Sequence, residues 1–267
     1  MQRRSFLCLA PVLGILVLAA WPLPGAAQAA EIRVVSSGGF AAAFRALAPA
    51  FEHATGHTLV MGWGPSMGQT ADAVPARLAR SEPIDVLIMV GDALGQLVEQ
   101  GTVAADSRAN LAQSGIGVVV RAGARRPDIG SADALRRTLL AAKSIAYSDS
   151  ASGVYIEREM LPRLGIAEQV AGRARMIPAE PVGAVVARGD AEIGFQQLSE
   201  LRPIRGIDLV GPLPPGLQRV TVFSAGRLAR SRDPEAAQAL IRFLASPAAA
   251  QAIVDSGMEP MGRAGRD

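Results

Sequence analysis

The sequence predicts an α/β protein of two lobes with a ligand cleft between them, and three observations predict it. Short apolar runs alternate with segments of helical period along almost the whole chain, which is the pattern of strands joined by crossing helices. Small polar residues stand between a strand and the following helix at four places, two early and two late. The densest Pro/Gly cluster after residue 30, Gly211-Pro212-Leu213-Pro214-Pro215-Gly216, breaks the pattern where a chain that has built a second lobe would cross back to the first.

Taken in order, residues 1–30 stand apart. Arg3 and Arg4, an apolar run over 6–21 and the small residues of 25–30 have the layout of an export signal, too short and wrongly flanked for a membrane span. The order Arg3-Arg4-Ser5-Phe6-Leu7 also fits the twin-arginine type. Residues 31–113 are expected to open lobe one: a strand over 32–36, a helix over 40–54 with Phe40, Phe44, Leu47 and Phe51 on one face, a strand over 58–62, a helix over 68–80, a strand over 85–90, and a helix over 92–100 stopped by Gly101. Their sheet is expected to be mostly parallel.

Residues 114–213 are expected to form lobe two. A strand over 115–121 leads to a helix over 131–143 capped by Ser131, then to a strand over 144–148 and a helix over 152–164. A strand near 175–177, a helix opened by Pro181 and a strand over 192–196 follow. Residues 214–267 return to lobe one through a strand over 219–224, a helix started by Asp233-Pro234-Glu235, and a last helix from Ser246-Pro247 to Gly257.

Composition narrows the partners. The chain is 49% hydrophobic and 19% charged, a balance that can bury a large core. Its net charge of +3 drops to +1 without Arg3 and Arg4, and the remaining basic residues are interspersed with acidic ones, so nucleic acid is not an expected partner. Aromatics make up only 4%, too few for stacking platforms, which favours a small polar or charged ligand. The single cysteine, Cys8, lies in the export segment, so no disulfide or thiolate metal site is expected. Beyond that segment no stretch is long and apolar enough to span a bilayer.

Four turns carry the chemistry: Ser36-Ser37-Gly38-Gly39, Pro65-Ser66-Met67-Gly68, Ser148-Asp149-Ser150-Ala151-Ser152-Gly153 and Ala179-Glu180-Pro181-Val182-Gly183. Each offers backbone N–H groups, and most offer hydroxyls, at the positive end of a helix dipole. A single such turn is an ordinary helix cap. Two from each lobe facing one cleft make an anion site, with Ser36, Ser37, Gly38, Gly39, Ser66, Met67, Ser150, Ser152, Gly153 and Val182 as expected ligand contacts. Capping is the alternative role of Ser66 and Ser152. Gln197, at the end of an apolar strand, is expected to aim its amide into the cleft.

Asp149 and Glu180 read first as helix caps, because a carboxylate beside an anion opposes binding unless it caps, pairs with a base or works chemically. His53 and His57 flank Gly56 at the opposite end of the lobe, without the spacing of a zinc site, and are expected in a solvated loop. No nucleophile triad, phosphate loop or dinucleotide fingerprint occurs, and no metal or cofactor is expected.

By order and spacing, residues 32–258 resemble the periplasmic molybdate-binding proteins of ABC importers. The closest pieces are the opening strand and turn over 32–40, the turn with Ser66, Ser152-Gly153-Val154-Tyr155, and Arg188-Gly189-Asp190-Ala191-Glu192-Ile193-Gly194-Phe195. The resemblance implies a type II periplasmic binding fold, a monomer holding a molybdate- or tungstate-like oxyanion, and an ABC permease as partner. Gly39 stands where that family carries a ligand serine, and Gln197 where it carries a ligand tyrosine.

These departures, with Pro178-Ala179-Glu180-Pro181-Val182-Gly183-Ala184 and Gly194-Phe195-Gln196-Gln197-Leu198-Ser199-Glu200-Leu201, resemble the branch of the superfamily that includes periplasmic aconitate isomerase. That branch implies a di- or tricarboxylate ligand and cofactor-free proton transfer, for which Glu180, Asp149 and Tyr147 are the candidate carriers. Binding ranks ahead of isomerisation at this stage, since it asks only for lobes, a hinge and converging donors.

Overall fold

The computed structural model describes residues 29–261; residues 1–28, which hold most of the segment read as an export signal, and residues 262–267 lie outside the described residues. Strands β1 (Glu31–Ser36), β2 (Thr58–Trp63), β3 (Val86–Val90) and β4 (Ala109–Ser114) are followed by β5 (Ile116–Arg121), β6 (Ile145–Ser148), β7 (Ala174–Ile177), β8 (Ile193–Gln197) and β9 (Ile207–Pro212). The last two are β10 (Thr221–Arg227) and β11 (Glu259–Pro260). They form two mixed sheets, one in the order β11-β4-β10-β3-β1-β2 and the other β7-β6-β8-β5-β9.

The first sheet is mixed and not mostly parallel. β1 runs parallel to β2 and β3, but β10 enters from the other lobe and pairs antiparallel with β3 and β4, and β11 adds a further antiparallel pair. Helices α1 (Gly38–Thr55), α2 (Val74–Ala79) and α3 (Gly91–Glu99) belong to this lobe. The other lobe holds α4 (Ala132–Ala141), α5 (Ala151–Tyr155), α6 (Leu161–Arg163), α7 (Ala167–Val170), α8 (Val182–Arg188) and α9 (Leu198–Leu201). Helices α10 (Pro234–Leu244) and α11 (Ala250–Asp255) return to the first lobe.

Alternation along the strands puts both faces of each sheet in a core. Val34 and Ile88 meet Phe40, Phe44, Leu47 and Phe51 of α1 with Leu240 and Leu244 of α10, whereas Val35, Leu87 and Met89 face Val74 and Leu94 on the other side. The predicted stripe of α1 is thus buried as one face, and truncating Phe44 to alanine is expected to cost about 3–5 kcal/mol. In the second lobe Val118, Ile145 and Phe195 pack with Leu135 and Leu139, and Val119 and Ala146 pack with Val182, Val185 and Val186 of α8.

Three local readings change. The helix expected over 68–80 is only Val74–Ala79, because Gly68 turns at φ +98° and Pro75, lacking an N–H, fits only the first helical turn. The segment before it stays a loop pinned by Val74 N–H donating to Pro65 O. β4 and β9 form although the sequence reading gave them no strand. Polar residues interrupt β4 and Gly211-Pro212 closes β9, and each is held by partners far along the chain. The helix expected over 152–164 forms with a π-helical turn, Ile156–Met160, between α5 and α6.

The chain passes between lobes at Gly115 and again over 213–220. Gln218 ties the two crossings: its Oε1 accepts from Ile116 N–H at 2.8 Å and its Nε2 donates to Ile116 O at 3.0 Å. Among the described residues no single helix is long and apolar enough to cross a membrane.

Candidate functional site

The C-terminal ends of β1, β2, β6 and β7 bring the turns after them to one cleft of about 280 Å³. Gly38, Trp63, Gly64, Pro65, Thr70 and Asp72 line it from the first lobe; Ser148, Asp149, Ser150, Glu180, Gln196 and Glu200 are among the residues lining it from the second. A small inner chamber of about 20 Å³ adjoins it, sharing Gly38, Ser150 and Glu200 with the cleft and bounded also by Ser37, Gly39, Ser66 and Gln197.

Within the first turn the side chains diverge. Ser36 turns its hydroxyl to Ser37 O at 3.1 Å, while the buried Ser37 Oγ has no partner although Ser37 is the N-cap of α1. A Cβ on Gly39 would overlap the Phe223 ring, so position 39 is a packing contact as much as a lining one. Ser66 Oγ accepts from Val90 N–H at 3.0 Å, which leaves its own proton for a ligand. Met67 faces away, into a separate hollow near Asp92, Tyr155 and Arg219.

In the second lobe Ser148 Oγ stands 2.9 Å from both Ser150 Oγ and Ser152 Oγ. Ser150 reaches the cleft, while Ser152 is buried behind it. Gly153 serves close packing, since a Cβ there would overlap the Ser148 carbonyl. Val182 N–H is already donated to Gln196 Oε1 at 2.9 Å.

Gln197 borders the inner chamber, but its amide is spent on the hinge. Oriented to satisfy every partner, it donates to Ser114 O and Gly115 O at 3.0 and 3.1 Å and accepts from Thr221 Oγ1 at 2.8 Å.

The three candidate proton carriers separate in the same way. Tyr147 lies in the core of the second lobe with its hydroxyl donating to Glu157 Oε1 at 3.3 Å; burial first, then the Glu157 charge, pushes it up to about 12, far from a base at neutral pH. Glu180 caps no helix, because Pro181 holds that position, and it pairs through both oxygens with Arg188 at 3.0 and 3.2 Å. Asp149 lines the cleft and accepts from Ala179 N–H at 3.1 Å, which ties two of the turns together.

Glu200, which the sequence reading did not single out, enters both the cleft and its inner chamber from α9. Its carboxylate reaches across to the first lobe, and Oε2 has neither solvent contact nor a hydrogen-bond partner. Burial raises its pKa to about 7, with Asp149 adding in the same direction and the Gln196 side chain opposing both. The available signal was its place three residues beyond the last residue of β8, in the first turn of a helix whose preceding residue borders the chamber.

Set against known proteins, residues 32–259 match the family of bacterial extracellular solute-binding proteins. The chain belongs to that family. Aconitate isomerase of Pseudomonas sp. is 53% identical over 249 residues, 93% of this chain and 95% of that protein. The molybdate-binding protein ModA of Azotobacter vinelandii is 28% identical over 250 residues, 90% and 94% of the two chains. The solved periplasmic molybdate-binding protein of Azotobacter vinelandii superposes with a TM-score of 0.68 at 22% identity, covering 85% of this chain and 98% of that one, and shares its two-lobed fold.

In this solute-binding protein the side chains lining the cleft include carboxylates of both lobes and no lysine or arginine among the described residues. Asp72 and Glu180 are offset by Arg77 and Arg188, and the Arg45 guanidinium lies 4.1 Å over the Trp63 ring at the first lobe's side. The neutral polar groups lining the cleft and the chamber include the hydroxyls of Ser37, Ser66, Thr70, Ser148 and Ser150. Of the five buried polar side-chain atoms without partners among the described residues, three, Ser37 Oγ, Thr70 Oγ1 and Glu200 Oε2, belong to residues lining the cleft or its inner chamber. Among the described residues no group of three His, Cys, Asp or Glu could hold a metal ion, and His57 accepts from Ala30 N–H through Nδ1 at the far end of β1.

Proposed function

We propose that this protein interconverts trans- and cis-aconitate in the cleft between its lobes. The observation that carries the reading is the 53% identity to aconitate isomerase across nearly the whole of both chains, a level at which cleft and chemistry are commonly shared. The unpartnered hydroxyls of Ser37 and Thr70 and the free proton of Ser66 are suited to the carboxylates of such a substrate. The reaction breaks a C–H bond at the methylene carbon, moves the double bond by one position and forms a C–H bond at the former vinylic carbon. One proton leaves and one returns, so the balance closes within the substrate and a single acid–base group.

Mixing the purified protein with trans-aconitate and following the vinylic and methylene protons by NMR tests the reading. Appearance of cis-aconitate at a rate proportional to protein supports it. No interconversion in either direction between about pH 6 and pH 8.5, where a carboxyl titrating near neutrality passes through both forms, rejects it.

The 28% identity to ModA favours a second reading, capture of a molybdate- or tungstate-like oxyanion for an ABC permease by an exported monomer. Under that reading molybdate raises the melting temperature and aconitate does not. In either case we place the protein in the periplasm, delivered by the segment over 1–30, and secretion of a fusion carrying that segment tests the placement.

A further inference from the structure

We propose that Glu200 is the catalytic residue that takes the allylic proton from one carbon of the substrate and returns it to the other. This rests on the isomerase reading and names the group that carries it out. Four features of the geometry support the choice.

First, Glu200 belongs to the second lobe but its carboxylate lies against Gly38, at the N-terminus of α1 in the first, so it stands where the lobes meet and α9 packs on α1. Second, it borders both the wide cleft and the inner chamber, whereas Glu180 borders only the cleft and is clamped by Arg188. Third, the Gln196 side chain bonds the Glu200 carboxylate but leaves Oε2 withdrawn from solvent without a partner, whereas Tyr147 is held in the core by Glu157 and Asp149 ties the turn at Ala179. A carboxylate in that state is strongly basic for its type and can shuttle a proton without losing it to water. Fourth, the neighbouring position is glycine: a Cβ at residue 38 would overlap Oε1 and stand 3.1 Å from the carboxyl carbon, so the small residue keeps room for the carboxylate.

The charged groups facing Glu200 are Asp149, Glu180 and Asp72, the last two offset by Arg188 and Arg77. The surplus charge near it is negative, and burial and Asp149 hold its pKa near 7, where a group serves equally as base and acid. In the forward step the carboxylate removes the methylene proton and the C–H electrons form the new double bond as the old one opens, its electron pair passing to the far carbon and the carboxylate conjugated with it. In the return step that pair takes the proton back from the carboxylic acid at the far carbon, and Glu200 ends in its starting state.

The test uses wild type, three variants and both isomers. Wild type is expected to show a kcat/KM limb near pH 7; a flat profile from about pH 5.5 to pH 8.5 overturns the assignment without any variant. Glu200→Gln is expected to lose at least about a hundredfold in kcat while trans-aconitate still raises its melting temperature, and Glu200→Asp is expected to recover part of the rate. Gly38→Ala, whose added methyl displaces only the end of a flexible side chain, is expected to fold and to lose kcat rather than affinity. Glu200→Gln at full rate overturns the proposal and leaves the isomerase reading standing, whereas inactive wild type removes the isomerase reading and with it the step assigned to Glu200.

Discussion

The carboxylate of Glu200, carried by the second lobe, fills the space beside Gly38 in the first. This contact has a cost in stability that depends on pH. The folded-state pKa of about 7 lies above the ordinary glutamate value that the unfolded chain retains. Its contribution to stability is therefore fully present below the unfolded value and is lost as pH rises through 7. Glu200→Gln is expected to be more stable than wild type by on the order of 2–3 kcal/mol near pH 8.5, with the gap closing near pH 4, read by thermal unfolding at the two pH values.

Ser36 and Ser37 are adjacent, and their side chains predict opposite results. Ser37→Ala removes a hydroxyl with no internal partner and should leave the free protein at its wild-type stability or slightly above it, while weakening trans-aconitate binding about tenfold or more. Ser36→Ala, whose hydroxyl is turned to Ser37 O, should leave affinity within about twofold. Calorimetric titration of both variants reads the difference, and equal losses would remove Ser37 from the site.

Gly39→Ser restores the residue type that molybdate-binding relatives are expected to carry there, and it should not restore oxyanion binding. The new Cβ meets the Phe223 ring, and overpacking of this kind costs about 1–3 kcal/mol. Pairing it with Phe223→Leu should recover most of the lost melting temperature.

Gln197→Leu leaves the Ser114 and Gly115 carbonyls without their donor. Denaturant unfolding is expected to show a loss of about 1–3 kcal/mol, the penalty of buried groups left unpaired.

Glu180→Gln breaks an exposed pair with Arg188 and touches no partner in the inner chamber. Steady-state rates within about threefold of wild type are expected. A hundredfold loss would transfer the proton-carrying role from position 200 to position 180.

The lobes were legible in the sequence because periodicity reports burial, and the stripe Phe40, Phe44, Leu47 and Phe51 is buried as the spacing requires. The turns were legible as well, since glycine and serine between a strand and a helix have few other uses. Side-chain direction within a turn was not, because it depends on what the other lobe presents: Ser37 is free and Ser36 is not, and Met67 looks out of the cleft that Ser66 borders. Gln197 and Gln196 are both near the ends of bonds that only the folded chain supplies. Glu200 was hidden for the same reason, as a glutamate in a four-residue helix looks like surface until α1 is laid against it.

Among the described residues no lysine or arginine lines the cleft, which bears on residence time. A scavenger working at trace concentrations profits from slow escape of each captured anion, whereas a catalyst profits from rapid exchange. On the isomerase reading, neutral donors beside carboxylates that repel the same charge should hold an aconitate only briefly, so that product leaves as readily as substrate arrives. Such a pocket suits a molecule that meets its substrate in abundance and works by repeated exchange with the surrounding fluid.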